Sequence, residues 1–347
     1  MSLSSTADRS VSRGDPSADP GRAAPLVSVL ILTYNHAPYI DECLRSVYSQ
    51  ITDFDFEVVI GDDCSTDGAQ EKLKEWRDRH PGRTTLLLRE RNLGGGGCMN
   101  LEATLKECRG EFIALLEGDD YWTHDGKLQA QAKVMAASVD VTACTHATRI
   151  DSPDCTDVVL FRHPQPSGDV SLEYLLKSGP SHTSSYMVRK SVLDGRPASY
   201  RTLPMGDWPL LVHCASVGRV VSLGEAVWSV YRVQGQGTWA ARGLVHRTQG
   251  EIRALQAFAA VLPEGLRRCV HNQLLLRQVW LAEGYWAVGD RGKAIREALP
   301  AIAGWPFRTP VNWRSMVRLV ARLVLPSWLL PARLDSPQRH LKNAPKP

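Results

Sequence analysis

In LLEGDDYW, residues 115–122, two leucines run straight into Glu117, Gly118, Asp119 and Asp120. Carboxylates this close repel one another and resist burial. Either water bathes all three, or a cation gathers them. Three other polar clusters stand in similar surroundings: Thr33-Tyr34-Asn35, Asp62-Asp63 and Asn92-Leu93-Gly94. Like the acidic turn, each closes a short apolar run: LVSVLIL (26–32), FEVVIG (56–61), TTLLLRE (84–90) and EFIALL (111–116). One more acid, Asp207 in LPMGDWPLL, lies far along the chain. Read by itself it suits a helix cap before Trp208.

The four runs read as strands buried on both faces. Amphipathic stretches alternate with them. In TYNHAPYIDECLRSVYSQ, Asn35 is positioned to cap a helix, with Pro38 in its first turn and Asp41 and Glu42 near its positive end. In DDCSTDGAQEKLKEWRDRH the expected cap is Ser65 or Thr66. NLGGGGCMNLEATLKECRG reads as a glycine turn and a third helix, and DGKLQAQAKVMAAS as a fourth, with Leu128, Ala132 and Met135 on one face. The order βαβαβαβ predicts an α/β fold around a mostly parallel sheet with right-handed crossovers. Ligands on such sheets bind beyond the carboxyl ends of the strands. All four polar clusters fall at such ends.

From residue 141 to about 240 the pattern mixes short strands (VTACTHATRI, SSYMVRK, RVVSL, AVWSVYRV) with a helix near Asp207 to Val217. After about residue 243 everything reads helical. DRGKAIREALPAIAG places Ala294, Ile295, Ala298, Leu299 and Ile302 on one face. In WRSMVRLVARLV, Arg314, Arg318 and Arg322 oppose Met316, Leu319, Val320 and Leu323.

The 347 residues are 43% hydrophobic and 22% charged, which is ordinary globular composition. A net charge of +4 is too small to make nucleic acid the main partner. The charge is uneven: from Arg314 onward seven basic residues face one acid, Asp335. Such a basic amphipathic segment, with Trp305, Trp313 and Trp328 around it, suits an anionic membrane surface; it equally suits docking on the protein with its arginines in water. The eight cysteines show no CxxC pair and no zinc spacing. Without an apolar leader they are expected to be reduced thiols in a cytoplasmic protein. No run of about 18 apolar residues is present to span a membrane. Residues 1–24 and 336–347 read as disordered tails.

VSVLILTYNHAPYIDECLRSVYSQ, VVIGDDCSTDG, RNLGGGGCMN and GEFIALLEGDDYW, in that order, resemble the successive motifs of family 2 glycosyltransferases. The likeness covers about residues 26–240. EGDDYW followed by KLQAQ is similar to bacterial enzymes that build capsules, O-antigens and other surface glycans. The resemblance implies a GT-A fold over 25–240, a nucleotide-binding half (25–140), an acceptor-binding half (141–240) and a helical region over 241–335. It implies an inverting enzyme that moves a sugar from a nucleotide donor, a UDP-sugar, to a lipid-linked or growing glycan acceptor.

The same resemblance implies roles. Thr33 and Tyr34 would lie against the base and Asp63 would hydrogen-bond it, with Asn35, Asn92, Gly94 and Asn100 around the nucleotide. Glu117, Gly118 and Asp119 stand at the family's D-x-D motif. Asp119 would face the ribose and metal region, Asp120 would ligate the divalent cation, and Asp207 matches the catalytic base. Trp208 and Trp239 would adjoin sugar or acceptor. The chain departs from the pattern in three places. Met99 stands where an arginine is usual, Glu117 replaces the first aspartate, and Val233-Gln234 follow Tyr231-Arg232 where many relatives carry a late histidine.

The chemistry requires such a cast. Mg²⁺ or Mn²⁺ binds through one or two carboxylates plus substrate phosphates and neutralises a leaving diphosphate. An acceptor hydroxyl must lose its proton to a base as it attacks. Two other readings compete. A nucleotidyltransferase would carry a glycine- and Lys/Arg-bearing loop after the first strand, and TYNHAPY has neither. A non-catalytic module would not keep Asp63, Asp119, Asp120 and Asp207 together. A dinucleotide fingerprint fails at Met99. His146, His182 and Cys64 read as structural. The expected location is cytoplasmic, with residues 312–334 expected as a peripheral contact on the inner face of the membrane.

Overall fold

The computed structural model describes residues 24–152, 159–161, 167–178, 181–233, 243–304, 317 and 319–322. The first half alternates as the apolar runs require: β1 (Val27–Thr33), α1 (Ile40–Tyr48), β2 (Phe56–Asp62), α2 (Ala69–Arg79), β3 (Thr84–Leu88), α3 (Cys98–Leu105) and β4 (Phe112–Glu117). These four strands lie parallel in the order β3-β2-β1-β4. Their side chains, with Ile40, Leu44 and Val47 of α1 and Leu73 of α2, make one continuous apolar core. Register pairs Thr33 with Asp62 and Leu32 with Glu117. The strands therefore end level, and their polar successors share one edge.

Next come β5 (Tyr121–Trp122), α4 (Lys127–Ala136), β6 (Val141–Asp151), β7 (Val159–Phe161), β8 (Gly168–Val170), α5 (Leu172–Ser178), β9 (Met187–Arg189), α6 (Lys190–Asp194), α7 (Asp207–Val217) and β10 (Arg219–Arg232). The sheet continues β4-β9-β6-β10-β5, with β7 on β6 and β8 on β10. Strand β9 runs antiparallel to both β4 and β6. RVVSL and AVWSVYRV are one strand, β10, with register shifts against β6 between Ser222 and Ser229. Leu128, Ala132 and Met135 of α4 are all buried in the core.

Two expected caps are replaced. Helix α1 starts at Ile40 after Tyr39, with no side-chain cap. Asn35 instead adopts φ 58°, a left-handed conformation that asparagine tolerates. Helix α2 starts after Gly68 rather than at Ser65 or Thr66, and Asp67 accepts the Ala69 N–H at 3.1 Å.

The helices α8 (Leu244–Val261), α9 (Arg267–Ala287) and α10 (Arg291–Gly304) complete the described elements. Two compact units result. One contains the sheet, within Met1–Val170, Ser181–Arg196 and His213–Val233; the other takes Ser171–Pro180, Pro197–Val212 and the chain from Gln234. The helical unit thus reaches back before residue 240. Within it Trp208 meets the edge of Phe258 at 5.2 Å and donates Nε1–H to the Leu175 carbonyl at 2.8 Å. On α10 the small residues Ala294, Ala298 and Ala301 are buried, while Ile295 and Leu299 are 44% and 55% exposed. The expected apolar face is therefore narrower, because alanines let α10 lie close to Val279 and Ala282 of α9. Of residues 312–334, only Val317 and 319–322 are described. Leu319 is buried in that helical cluster, and Arg322 lies 3.8 Å from Glu283. No helix among the described residues is long and apolar enough to cross a membrane.

Candidate active site

The acidic turn is built from backbone constraints. Gly118 N–H donates to the Leu32 carbonyl at 2.8 Å and Asp120 N–H to the Glu117 carbonyl at 3.0 Å. A Cβ on Gly118 would stand 2.8 Å from Thr33 Oγ1 and 3.0 Å from His36 Nδ1. Only glycine lets the turn approach β1 so closely. Beyond it Asp120 is 1% exposed. Its Oδ1 accepts the Arg232 N–H at 3.0 Å. Its Oδ2 lies 3.6 Å from His182 Nδ1 and has no hydrogen-bond partner among the described residues. Burial, then the neighbouring Asp119, holds its pKa well above the usual carboxylate range. His182 gives no compensating charge: burial pulls its pKa down to about 3, and its ring stacks on Tyr231 at 4.0 Å. Asp119 is more open, with its side chain 16% exposed and Oδ2 3.7 Å from His36 Nε2. Buried Thr33 Oγ1 and His36 Nδ1 also lack hydrogen-bond partners among the described residues.

The two aspartates at the end of β2 divide their work. Asp62 is buried and structural: its carboxylate accepts Ser65 N–H at 3.0 Å, Gln70 Nε2–H at 2.7 Å and the Ser65 hydroxyl. Asp63 faces the next loop. Its Oδ1 accepts Leu93 N–H at 2.8 Å, and its carbonyl accepts Asn92 Nδ2–H at 3.1 Å. Burial raises its pKa. Asn92 Oδ1 in turn accepts Gly94 N–H at 2.9 Å. Gly94 to Gly97 all have positive φ, from 65° to 89°, which explains the run of four glycines. Asn35 ties the neighbouring loops: its N–H donates to Ser65 Oγ and its Oδ1 accepts Thr66 N–H, both at 2.8 Å. Tyr34 is exposed beside it.

Thr33, Tyr34, Asn35, Asp63, Asn92 and Gly94 thus gather at the ends of β1 and β2, with Glu117, Asp119 and Asp120 at the end of β4. Asn100 does not join them. It is buried, donating Nδ2–H to the Gly61 carbonyl at 2.8 Å and accepting Arg89 Nε–H at 3.3 Å. Its side chain ties α3 to β2, because Gly61 leaves the space that it fills.

Asp207 lies in the helical unit at the first turn of α7 and accepts the Trp208 N–H at 2.8 Å. That bond is to the adjacent residue, whereas a helix cap accepts from two or three residues on, and burial raises its pKa. Trp208 is buried by the packing on Phe258 and is not offered to a sugar. Trp239 lies outside the described residues. His146 is buried, with Nδ1 2.8 Å from the Ala147 carbonyl, as its structural reading requires. The sequence did not single out His36 or Arg232 for the site, and it read His182 as purely structural. His36 lies inside the quoted TYNHAPY, but His182 and Arg232 reach the turn only through strand pairing.

The residues present fit a divalent cation. Asp120 is a buried carboxylate with an orphaned oxygen, Asp119 adjoins it, and their oxygens are the hard donors Mg²⁺ and Mn²⁺ prefer. No group of three or more His, Cys, Asp or Glu among the described residues could hold a metal ion by itself. That suits an ion that takes most of its ligands from phosphate and water.

The sheet edge is level, with a loop-facing aspartate at the end of one strand and paired carboxylates at the end of another two places away. The family model described as glycosyl transferase family 2 matches residues 28–192. The uncharacterized protein Rv1520 of Mycobacterium tuberculosis is 31% identical over 77% of this chain and 75% of its own. Staphylococcus aureus TarS, a poly(ribitol-phosphate) beta-N-acetylglucosaminyltransferase, is 39% identical over 27% of this chain and 16% of its own. The crystal structure of TarS 1–349 superposes with a TM-score of 0.59 at 18% identity, covering 85% of this chain and 86% of that one. In complex with UDP-GlcNAc the same fragment gives 0.53 at 17% identity, over 82% and 93%. A mannosyltransferase from Pyrobaculum calidifontis, in complex with GDP-Man and Mn²⁺, gives 0.53 at 20% identity, over 86% and 79%. The chain belongs to glycosyltransferase family 2. It is a glycosyltransferase with the GT-A fold.

Proposed function

We propose that the protein is an inverting transferase that moves one sugar from a UDP-sugar to a lipid-linked or growing cell-surface glycan. The carrying observation is the register that sets Asp63 and the Asp119–Asp120 pair level, with β1 between their strands. Two strand spacings are about 10 Å, the reach of a nucleoside diphosphate from its base to its outer phosphate. Tyr34 then offers a ring to the base and Asp63 a hydrogen-bond acceptor. Asp119 and Asp120 hold the cation, with Asp119 the more accessible carboxylate. Mg²⁺ or Mn²⁺ there would neutralise charge on the leaving diphosphate. Asp207 takes the proton of the acceptor hydroxyl, and a pKa raised by burial suits it to that task. TarS is named as a poly(ribitol-phosphate) beta-N-acetylglucosaminyltransferase, and a polymeric acceptor there supports the acceptor class proposed here. The proposed location is cytoplasmic, where nucleotide sugars are made, with residues 312–334 offering peripheral membrane contact.

The test is turnover with a panel of UDP-sugars, with NMR of the product's anomeric centre. Nucleotide release with inversion is the expected result. Retention would remove the single-base mechanism. Release from GDP- or dTDP-sugars alone would move the base assignment.

A further inference from the structure

Two groups of one residue hold the acidic turn, and a third anchors that residue to a neighbouring helix. Arg232 closes β10, and its N–H donates to Asp120 Oδ1 at 3.0 Å. Its Nη1–H donates to the Asp119 carbonyl at 2.6 Å, and its Nη2 pairs with Glu42 of α1. The rings of Tyr121 and Tyr39 lie 4.4 and 5.2 Å from the guanidinium carbon. The side chain is only 14% exposed. An arginine on a single surface acid exchanges rotamers; one forked onto two acceptors between two rings has one position.

We propose that Arg232 is the positioning residue of the cation site, an inference that rests on the nucleotide–metal reading above. Adjacent carboxylates left alone would splay towards water. Through its backbone N–H, which any side chain at 232 keeps, Arg232 fixes one oxygen of Asp120 and leaves the other, Oδ2, unpartnered, so the guanidinium's own contribution is its hold on the turn's backbone. It clamps the peptide between Asp119 and Asp120, so both side chains leave a fixed backbone. Its guanidinium hydrogen bonds go to Glu42 and a carbonyl, not to the two carboxylates themselves. The negative charge of the turn is thus left for a cation, while Glu42 keeps the arginine aside. Lysine has no fork with which to hold both acceptors.

The experiment is UDP calorimetry with Mn²⁺ and again with EDTA, plus electron-spin resonance of bound Mn²⁺. The proteins are wild type, Arg232→Lys, Arg232→Met and Glu42→Gln, each checked by thermal melting. Arg232→Met should lose about 10–100-fold in Mn²⁺ affinity, as loss of an outer partner of a metal ligand does, while UDP affinity in EDTA stays within about twofold. Arg232→Lys should recover part of the loss, and Glu42→Gln should show a smaller loss in the same direction. If Arg232→Met does not fold, Glu42→Gln carries the test. Wild-type Mn²⁺ affinity in the variants, or an equal loss with and without metal, overturns the proposal. A wild type whose UDP binding ignores Mn²⁺ overturns the donor–metal reading instead.

Discussion

Replacing Lys127 with methionine should flatten the dependence of stability on pH. Lys127 opens α4 and is 0% exposed. Its Nζ–H donates to Gln131 Oε1 at 2.7 Å and lies 4.0 Å from the centre of the Trp122 ring. Gln131 Nε2 donates in turn to the Cys144 and Ser185 carbonyls, so the pair ties α4 to β6 and to the turn before β9. Burial pulls the Lys127 pKa from 10.5 to about 7. Between those values the unfolded chain binds the extra proton, so stability rises with pH through that window. Below it both states are protonated and the full penalty applies; above it neither is. From pH 7 to pH 9 this group alone should stabilise the fold by about 2 kcal/mol, after allowing for partial titration at the lower end. Methionine keeps the apolar stem and leaves Gln131 short of one donor, a pH-independent cost of ~1 kcal/mol. Urea unfolding of both proteins at pH 7, 8 and 9 should therefore show the stability gap moving against the variant by about 2 kcal/mol. Parallel curves would refute the reasoning.

Other substitutions probe the site itself. Asp207→Asn should lower kcat by roughly 10²–10⁴-fold with UDP affinity unchanged, in steady-state kinetics and calorimetry. Because burial raises the Asp207 pKa, the acid limb of the wild-type kcat/KM profile should lie above the ordinary carboxylate value, and the variant's residual activity should lack it. Asp63→Asn should weaken UDP binding by about tenfold through loss of a charged acceptor while keeping the response to Mn²⁺. Gly61→Ala would bring a Cβ to 2.0 Å from Thr104 Oγ1 and 2.8 Å from Asn100 Oδ1; thermal or urea unfolding should show a loss of about 1–3 kcal/mol or more.

The parallel half of the sheet was legible because β1, β2 and β4 are buried on both faces and write themselves as unbroken apolar runs. The level edge followed, since each run stops at its polar cluster. Local pattern could not tell which member of a cluster faces a ligand. Asp62 and Asp63 are adjacent, yet one closes its own loop and the other reaches across to Leu93. Asn100 looked like its neighbours in the glycine loop, but a helical turn carried it under β2 against the bare α-carbon of Gly61. The reversal at β9 was hidden in three residues. The pairing of β10 with β5 brings Arg232 to Asp120, a contact with no signal in either segment alone. The helical unit's claim on residues 171–180 and 197–212 was equally silent, because Trp208 declares its partner only through Phe258 and Leu175.

The most direct measurement is calorimetric titration of UDP, GDP and dTDP, with Mn²⁺ and with EDTA, into wild type, Asp119→Ala and Asp120→Ala. UDP should bind wild type, EDTA should weaken that binding, and both variants should lose the metal-dependent part. No nucleotide binding by folded wild type would contradict the donor site. UDP binding indifferent to metal and to both aspartates would contradict the role given to the acidic turn.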